Sequence, residues 1–154
     1  DEGVVAGTTA TTFTPNGSLL RAQFVTFLWR HAGQPEPATN VNPFIDVKST
    51  DYFYKAVLWA VERGIVAGIS SNQFAPNMVT TRAQAISFLW RYLDKPEATA
   101  VNSFKDVVAG AWYEPAINWA VGAGVTSGLS ATVFGINANC NRAQAVSFLY
   151  RALA

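Results

Sequence analysis

A ten-residue phrase recurs three times, and that recurrence constrains the fold before any local reading does. Arg21-Ala22-Gln23-Phe24-Val25-Thr26-Phe27-Leu28-Trp29-Arg30 returns as Arg82-Ala83-Gln84-Ala85-Ile86-Ser87-Phe88-Leu89-Trp90-Arg91. It returns again as Arg142-Ala143-Gln144-Ala145-Val146-Ser147-Phe148-Leu149-Tyr150-Arg151. From Arg82 to Arg142 is 60 residues, and the same step carries Phe44 to Phe104, Asp46 to Asp106, Trp59 to Trp119, Gly68 to Gly128 and Phe74 to Phe134. Backwards, a step of 61 carries Arg82 to Arg21, Gly68 to Gly7, Phe74 to Phe13 and Pro76 to Pro15. Three units follow, at 1–35, 44–97 and 104–154, expected to fold as one compact domain. The first lacks a counterpart of Phe44 to Val61, so it is expected to lack its first helix.

Each full unit reads as helix, loop, helix. Asp51 is placed to cap a helix over Tyr52 to Arg63 whose apolar stripe is Phe53, Ala56, Val57, Ala60 and Val61, and Gly64 ends it. A loop through Phe74 and Pro76-Asn77 then leads to Thr81. With Gln84 three residues on, Thr81 makes a capping box, and Asn141 with Gln144 repeats it. The first copy has Leu20 where the cap belongs, which predicts that its helix is the most frayed at its start. Along Arg82 to Leu93, one stripe of Ile86, Leu89, Trp90 and Leu93 lies beside a second of Ala85, Phe88 and Tyr92. An arc that wide suits burial on two sides. The expectation is an all-α spindle with the three long helices packed centrally about a pseudo-threefold axis and the short ones outside.

Composition removes several function classes. Eleven Lys and Arg against ten Asp and Glu leave no bulk field to hold a nucleic acid or an anionic bilayer. One cysteine, Cys140, cannot make an internal disulfide, and one histidine, His31, cannot build a His-rich metal site. No cofactor is indicated, and no apolar run reaches the length of a membrane span. Asp1 in place of Met reads as a fragment or a processed product. Asp46 and Asp106 are repeat equivalents, so symmetry accounts for the pair without acid–base chemistry. No catalytic constellation is present, and the chain reads as a binding or structural module.

The order Phe44-Ile45-Asp46-Val47, Tyr52-Phe53, Ala56-Val57, Ala60-Val61, Gly64-Ile65-Val66-Ala67-Gly68, Phe74, Pro76, Thr81-Arg82-Ala83-Gln84 resembles the S-layer homology (SLH) repeat. It is present twice in full and once in part. The resemblance implies a three-repeat pseudo-trimer that holds exported proteins on the bacterial cell wall or S-layer. Such modules bind secondary cell-wall polysaccharide, or a polymer linked to peptidoglycan, without covalent bonds. The ligand often ends in a pyruvate-ketal sugar and lies in grooves between repeats. The family motif is usually Thr-Arg-Ala-Glu; Arg82 matches its arginine with the preceding Thr, Arg21 and Arg142 match without it, and all three copies carry Gln for Glu. A capping box survives that change, but a carboxylate is lost.

The candidate site residues follow. Arg21, Arg82 and Arg142 stand at helix starts and can hold a carboxylate in bidentate fashion; the competing reading pairs them with Asp46 or Asp106. Gln84 and Gln144 occupy the motif's acidic position. Asp46 and Asp106 can accept sugar hydroxyls or close turns. Tyr52 and Trp112 can stack on a sugar face or pack in the core. Gly68 and Gly128 admit close approach of a ligand or supply a left-handed turn. Trp29, Trp59, Trp90 and Trp119 read as core, while Lys55, Arg63, Arg91 and Arg151 read as solvated. The groove between the second and third repeats is favoured because the first repeat is incomplete. The alternative function is an assembly module, whose missing first-repeat helix comes from another chain and which self-associates through the gap.

Overall fold

The computed structural model describes residues 17–154. Expectations that fall on Gly3 to Ala6, Gly7, Phe13 and Pro15 lie outside these residues. Five helices run α1 Arg21–His31, α2 Tyr54–Glu62, α3 Arg82–Tyr92, α4 Glu114–Gly122 and α5 Arg142–Leu153. No strand is present among the described residues, so the architecture is all-α, as the periodicity predicts.

The pseudo-threefold arrangement is visible in three backbone hydrogen bonds. The residue two places before each long-helix arginine joins a closed ring: Leu19 N–H donates to Cys140 O (3.0 Å), Cys140 N–H to Thr80 O (2.8 Å) and Thr80 N–H to Leu19 O (2.7 Å). All three residues are fully buried. Isolated antiparallel bridges flank the ring, pairing Ser18 with Asn141, Leu20 with Val79 and Thr81 with Asn139. Two residues on, the arginine amide of each copy reaches across to a neighbouring repeat, from Arg21 to Met78 O, from Arg82 to Ala138 O and from Arg142 to Gly17 O. These bonds take the first free N–H of each long helix, one of the donors that a helix start leaves without an internal partner.

Around this ring, α3 lies between α1 and α5. The short helices pack across repeat boundaries: α2 lies against α1 and α4 against α3. The linkers bring this about. Trp29 Nε1 donates to Pro35 O (2.8 Å) and Trp90 Nε1 to Pro96 O (3.0 Å), turning the chain back after each long helix. Ala38 and Thr39 N–H then bond the Glu62 carboxylate. Phe24, Val25, Leu28, Ala85, Ile86 and Leu89 are fully buried, so the double stripe becomes a two-sided core as the sequence suggests.

Helix starts correct one expectation. Thr81 and Asn141 do form full capping boxes, with Gln84 N–H on Thr81 Oγ1 and Gln144 N–H on Asn141 Oδ1. Asp51, however, does not cap α2. Its carboxylate accepts from Lys48 N–H (2.8 Å) and closes a turn, and the helix begins at Tyr54. The N-cap position falls on Phe53, without a side-chain cap, and Tyr54 N–H bonds to the Asp51 carbonyl (3.1 Å) instead. In α4, Pro115 sits in the first turn, where its missing N–H costs nothing.

Candidate functional site

The site is built from one residue's backbone held from both sides. In the second repeat, Asp46 accepts from Phe74 N–H (2.9 Å) and Ala75 N–H (2.8 Å), while Arg21 Nε donates to Phe74 O (3.1 Å). In the third, Asp106 accepts from Phe134, Gly135 and Ile136 N–H, and Arg82 Nε donates to Phe134 O (2.9 Å). The arginine of one repeat and the aspartate of the next thus clamp the same peptide unit. They form no ion pair with one another; Lys55 with Glu36 is the salt bridge found among the described residues. Asp46 and Asp106 are therefore loop staples. The backbone bonds hold the Asp106 carboxyl below its ordinary value, against a desolvation that is the largest single influence and works the other way.

Each arginine also lies over aromatic rings. The Arg82 guanidinium carbon is 4.8 Å from the Phe134 centroid and 5.3 Å from that of Phe148; Arg21 stands 4.6 Å from Phe74. Arg82 is only 4% exposed, and desolvation pulls its pKa down, partly opposed by Cys140 and Asp106. Cys140 itself is pushed up to about 12 by burial, with Arg82 opposing, so it is a neutral thiol. A guanidinium remains charged throughout the physiological range. Arg82 is thus a desolvated cation with no carboxylate in salt-bridge range, and its terminal nitrogens make no hydrogen bond, among the described residues.

A groove of about 240 Å³ is lined by Arg82, Thr126, Ser127, Gly128, Asn141, Ala143, Gln144, Ser147, Phe148 and Arg151. A second hollow of about 470 Å³ adjoins it, walled by Val101, Phe104, Val121 and Ala131 among others, and shares Thr126, Ser127 and Arg151. Gln144, Ser147, Phe148 and Arg151 follow helical spacing along one face of α5. Gln144 Oε1 accepts from Asn141 N–H (3.0 Å), which fixes the amide so that its NH2 is the end left to donate. Gln84 is held the same way by Thr81 N–H.

The predicted residues divide accordingly. Arg82, Gln144 and Gly128 come together in the groove between the second and third repeats. Arg142 lies 5.6 Å from the Phe27 ring centroid and within electrostatic reach of Tyr52, which partly offsets the burial that lowers its pKa. Tyr52 and Trp112 are 60% and 55% exposed, each edge-on to the next ring, Phe53 and Tyr113, so neither is a core residue. Neither lines the groove beside Arg82. Trp59 and Trp119 are core, whereas Trp29 and Trp90 are half-buried. Gly128 has φ +88°, a left-handed conformation, but Gly68 does not. What both positions share is an aromatic ring, Phe44 or Phe104, lying where a Cβ would go.

Arg151 is exposed, as its solvated reading expects, and it also lines both hollows and donates from Nη1 to Val125 O (3.4 Å). Its helical spacing from Gln144 and Ser147 was the available signal for that lining. No group of His, Cys, Asp and Glu able to hold a metal ion occurs among the described residues.

A ring-closed trimer of repeats, with a buried arginine lining a shallow groove, has the form of a binding module. Comparison with known proteins gives its family. The model of the S-layer homology domain matches residues 1–25, 43–86 and 103–146, and the chain belongs to that family. The family is one of non-catalytic anchoring domains, associated with the bacterial cell wall or S-layer. The chain is 39% identical over 104 residues to an endoglucanase of Bacillus sp. (strain KSM-635), covering 63% of this chain and 11% of that protein. It is 35% identical over 105 residues to a surface-layer 125 kDa protein of Lysinibacillus sphaericus, covering 68% and 9%. A cellulosome-anchoring protein of Acetivibrio thermocellus is 24% identical over 148 residues, covering 92% and 33%. The chain therefore spans a third or less of these relatives. No described helix is long and apolar enough to cross a membrane.

Proposed function

We propose that this chain anchors a larger protein to the cell wall by binding an acidic cell-wall polysaccharide, of the pyruvate-ketal type, in the groove between its second and third repeats. One observation carries this reading: the buried Arg82 guanidinium has no carboxylate within salt-bridge distance among the described residues, and Arg82 lines that groove. A desolvated charge left unpaired is costly, and a ligand carboxylate supplies the missing partner. Arg151 adds a second cation on the rim, the Gln144 NH2 a neutral donor, and Ser127 and Ser147 hydroxyls that suit a sugar. Phe148 gives an apolar wall, the part first assigned to Tyr52 and Trp112.

The family's usual Glu at position 144 would bring a carboxylate beside this anion site; Gln brings a donor instead. Calorimetric titration with pyruvylated wall polysaccharide tests the reading, alongside the same polymer stripped of its ketal. Arg82→Gln, which keeps the stem and a donor for Phe134 O, should lose about tenfold or more in affinity. Gln144→Glu should weaken binding while the fold persists. Binding that survives both stripping and Arg82→Gln would end the proposal.

The assembly reading has one observation in its favour. Thr26 and Ser87 are buried, yet their equivalent Ser147 is exposed, and Tyr150 is 73% exposed where Trp29 and Trp90 are half-buried. A short helix of a second chain could cover α5 as α2 covers α1. Sedimentation showing only monomer would remove this reading.

A further inference from the structure

The grooves on either side of the second repeat are not equivalent, although their frames match. Arg21 Nε and Arg82 Nε both hold the phenylalanine carbonyl of the next repeat. The loop beyond is closed alike in both, by Ile69 N–H on Gln73 O and by Leu129 N–H on Val133 O, each 2.9 Å. The two loops differ at several positions, Ala75 against Gly135 among them, and their bonding to the arginine parts at Val66-Ala67-Gly68 against Thr126-Ser127-Gly128. In the second repeat, Ala67 O accepts from Arg21 Nη2 at 2.7 Å, so that guanidinium is occupied by protein carbonyls at two points. In the third repeat the corresponding bond from Arg82 to Ser127 O is absent.

The hydroxyl of Thr126 accounts for this. Thr126 Oγ1 accepts from Gly128 N–H (3.1 Å), a side-chain turn of the kind Ser and Thr favour, and Gly128 takes φ +88°. Val66 offers no oxygen, and Gly68 stays outside the left-handed region. Because both loops have glycine at the pivot, either path is open to either loop. Two residues before the pivot stands Val66 in one loop and Thr126 in the other.

We infer that Thr126 is the positioning residue that makes the Arg82 groove the ligand-binding one, by turning the Ser127 carbonyl away from the Arg82 fork, whereas Val66 lets Ala67 capture Arg21. The chain then has one competent groove on the second repeat's two faces. The inference rests on the reading of the Arg82 groove as an anion site.

Titration with a methyl hexoside carrying a pyruvate ketal, against the unketalised hexoside, tests it in three variants. Thr126→Val should weaken ketal binding about tenfold or more, as expected for losing a charge-assisted pair. Thr126→Ser, which restores the oxygen, should bind as the unaltered chain does. Val66→Thr should free Arg21 and add a second site of comparable affinity. Unaltered binding in Thr126→Val and no added site in Val66→Thr overturn the role of Thr126 and leave the Arg82 reading standing. Failure of the unaltered, folded chain to bind the ketal overturns both. If Thr126→Val does not fold, the added site in Val66→Thr decides alone.

Discussion

At the scale of single residues, the same carboxylate that sequence logic offers to a sugar is fastened to the backbone. Asp106 accepts three consecutive N–H groups at 2.9, 2.8 and 3.2 Å, and these hold its pKa down. A group whose folded pKa lies below its unfolded one stabilises the fold above the unfolded value, and that contribution goes as pH falls through the folded one. The domain should therefore lose stability as pH drops below the ordinary carboxylate value of 3.8. Asp106→Asn leaves a single side-chain acceptor for those amides and should cost about 1–3 kcal/mol at neutral pH. Denaturant titrations of both proteins should converge in acid; a constant difference at every pH would show that the charge is immaterial. The sequence could place Asp106 only as either a binder or a turn residue, since an Asp-to-amide bond across 28 residues has no local pattern.

At the scale of elements, what was legible is what depends on short-range periodicity. The long helices, the capping boxes at Thr81 and Asn141, and the end of α2 before Gly64 are all local. The start of α2 was misread because Asp51 had two local uses, and the turn prevailed. Pairing of α2 with α1, not with its own repeat's α3, was hidden because it depends on how a proline linker bends. The predicted fraying of α1 now becomes specific. The Leu20 side chain has no oxygen, but Arg21 and Ala22 N–H donate to Met78 O and Pro76 O, so the neighbouring loop supplies part of the missing cap. Gln23 Oε1 still holds Leu20 N–H. Only the Gln23 amide is left without an acceptor, whereas Gln84 and Gln144 amides have theirs. Native-state amide exchange should be faster at Gln23 than at either counterpart, with Arg21 and Ala22 protected. Equal protection at all three glutamines would refute this account of the cap.

At the scale of the whole molecule, the consequence of the repeats is closure. An open array of repeats has contacts only between neighbours, and its stability can be lost one unit at a time. Here the ring of Leu19, Thr80 and Cys140 ties the first stretch of described chain to the last, and each arginine amide repeats the linkage one step outward. Opening any one member leaves buried backbone groups of two other repeats unpaired, which is costly for each group exposed to no water. The clamp on Phe74 and Phe134 adds side chains to the same linkage, since Arg21 and Arg82 stabilise loops that lie in the next repeat. Unfolding should then be one cooperative transition despite the repeat sequence. Scanning calorimetry should give a van't Hoff enthalpy equal to the calorimetric one, the mark of two-state behaviour. Removing α5 with its leading segment from Asn139 should unfold the rest, because Thr80 O and Leu19 N–H both lose their partner Cys140. Two separable transitions, or a stable remainder after that deletion, would mean that the ring records symmetry without carrying stability.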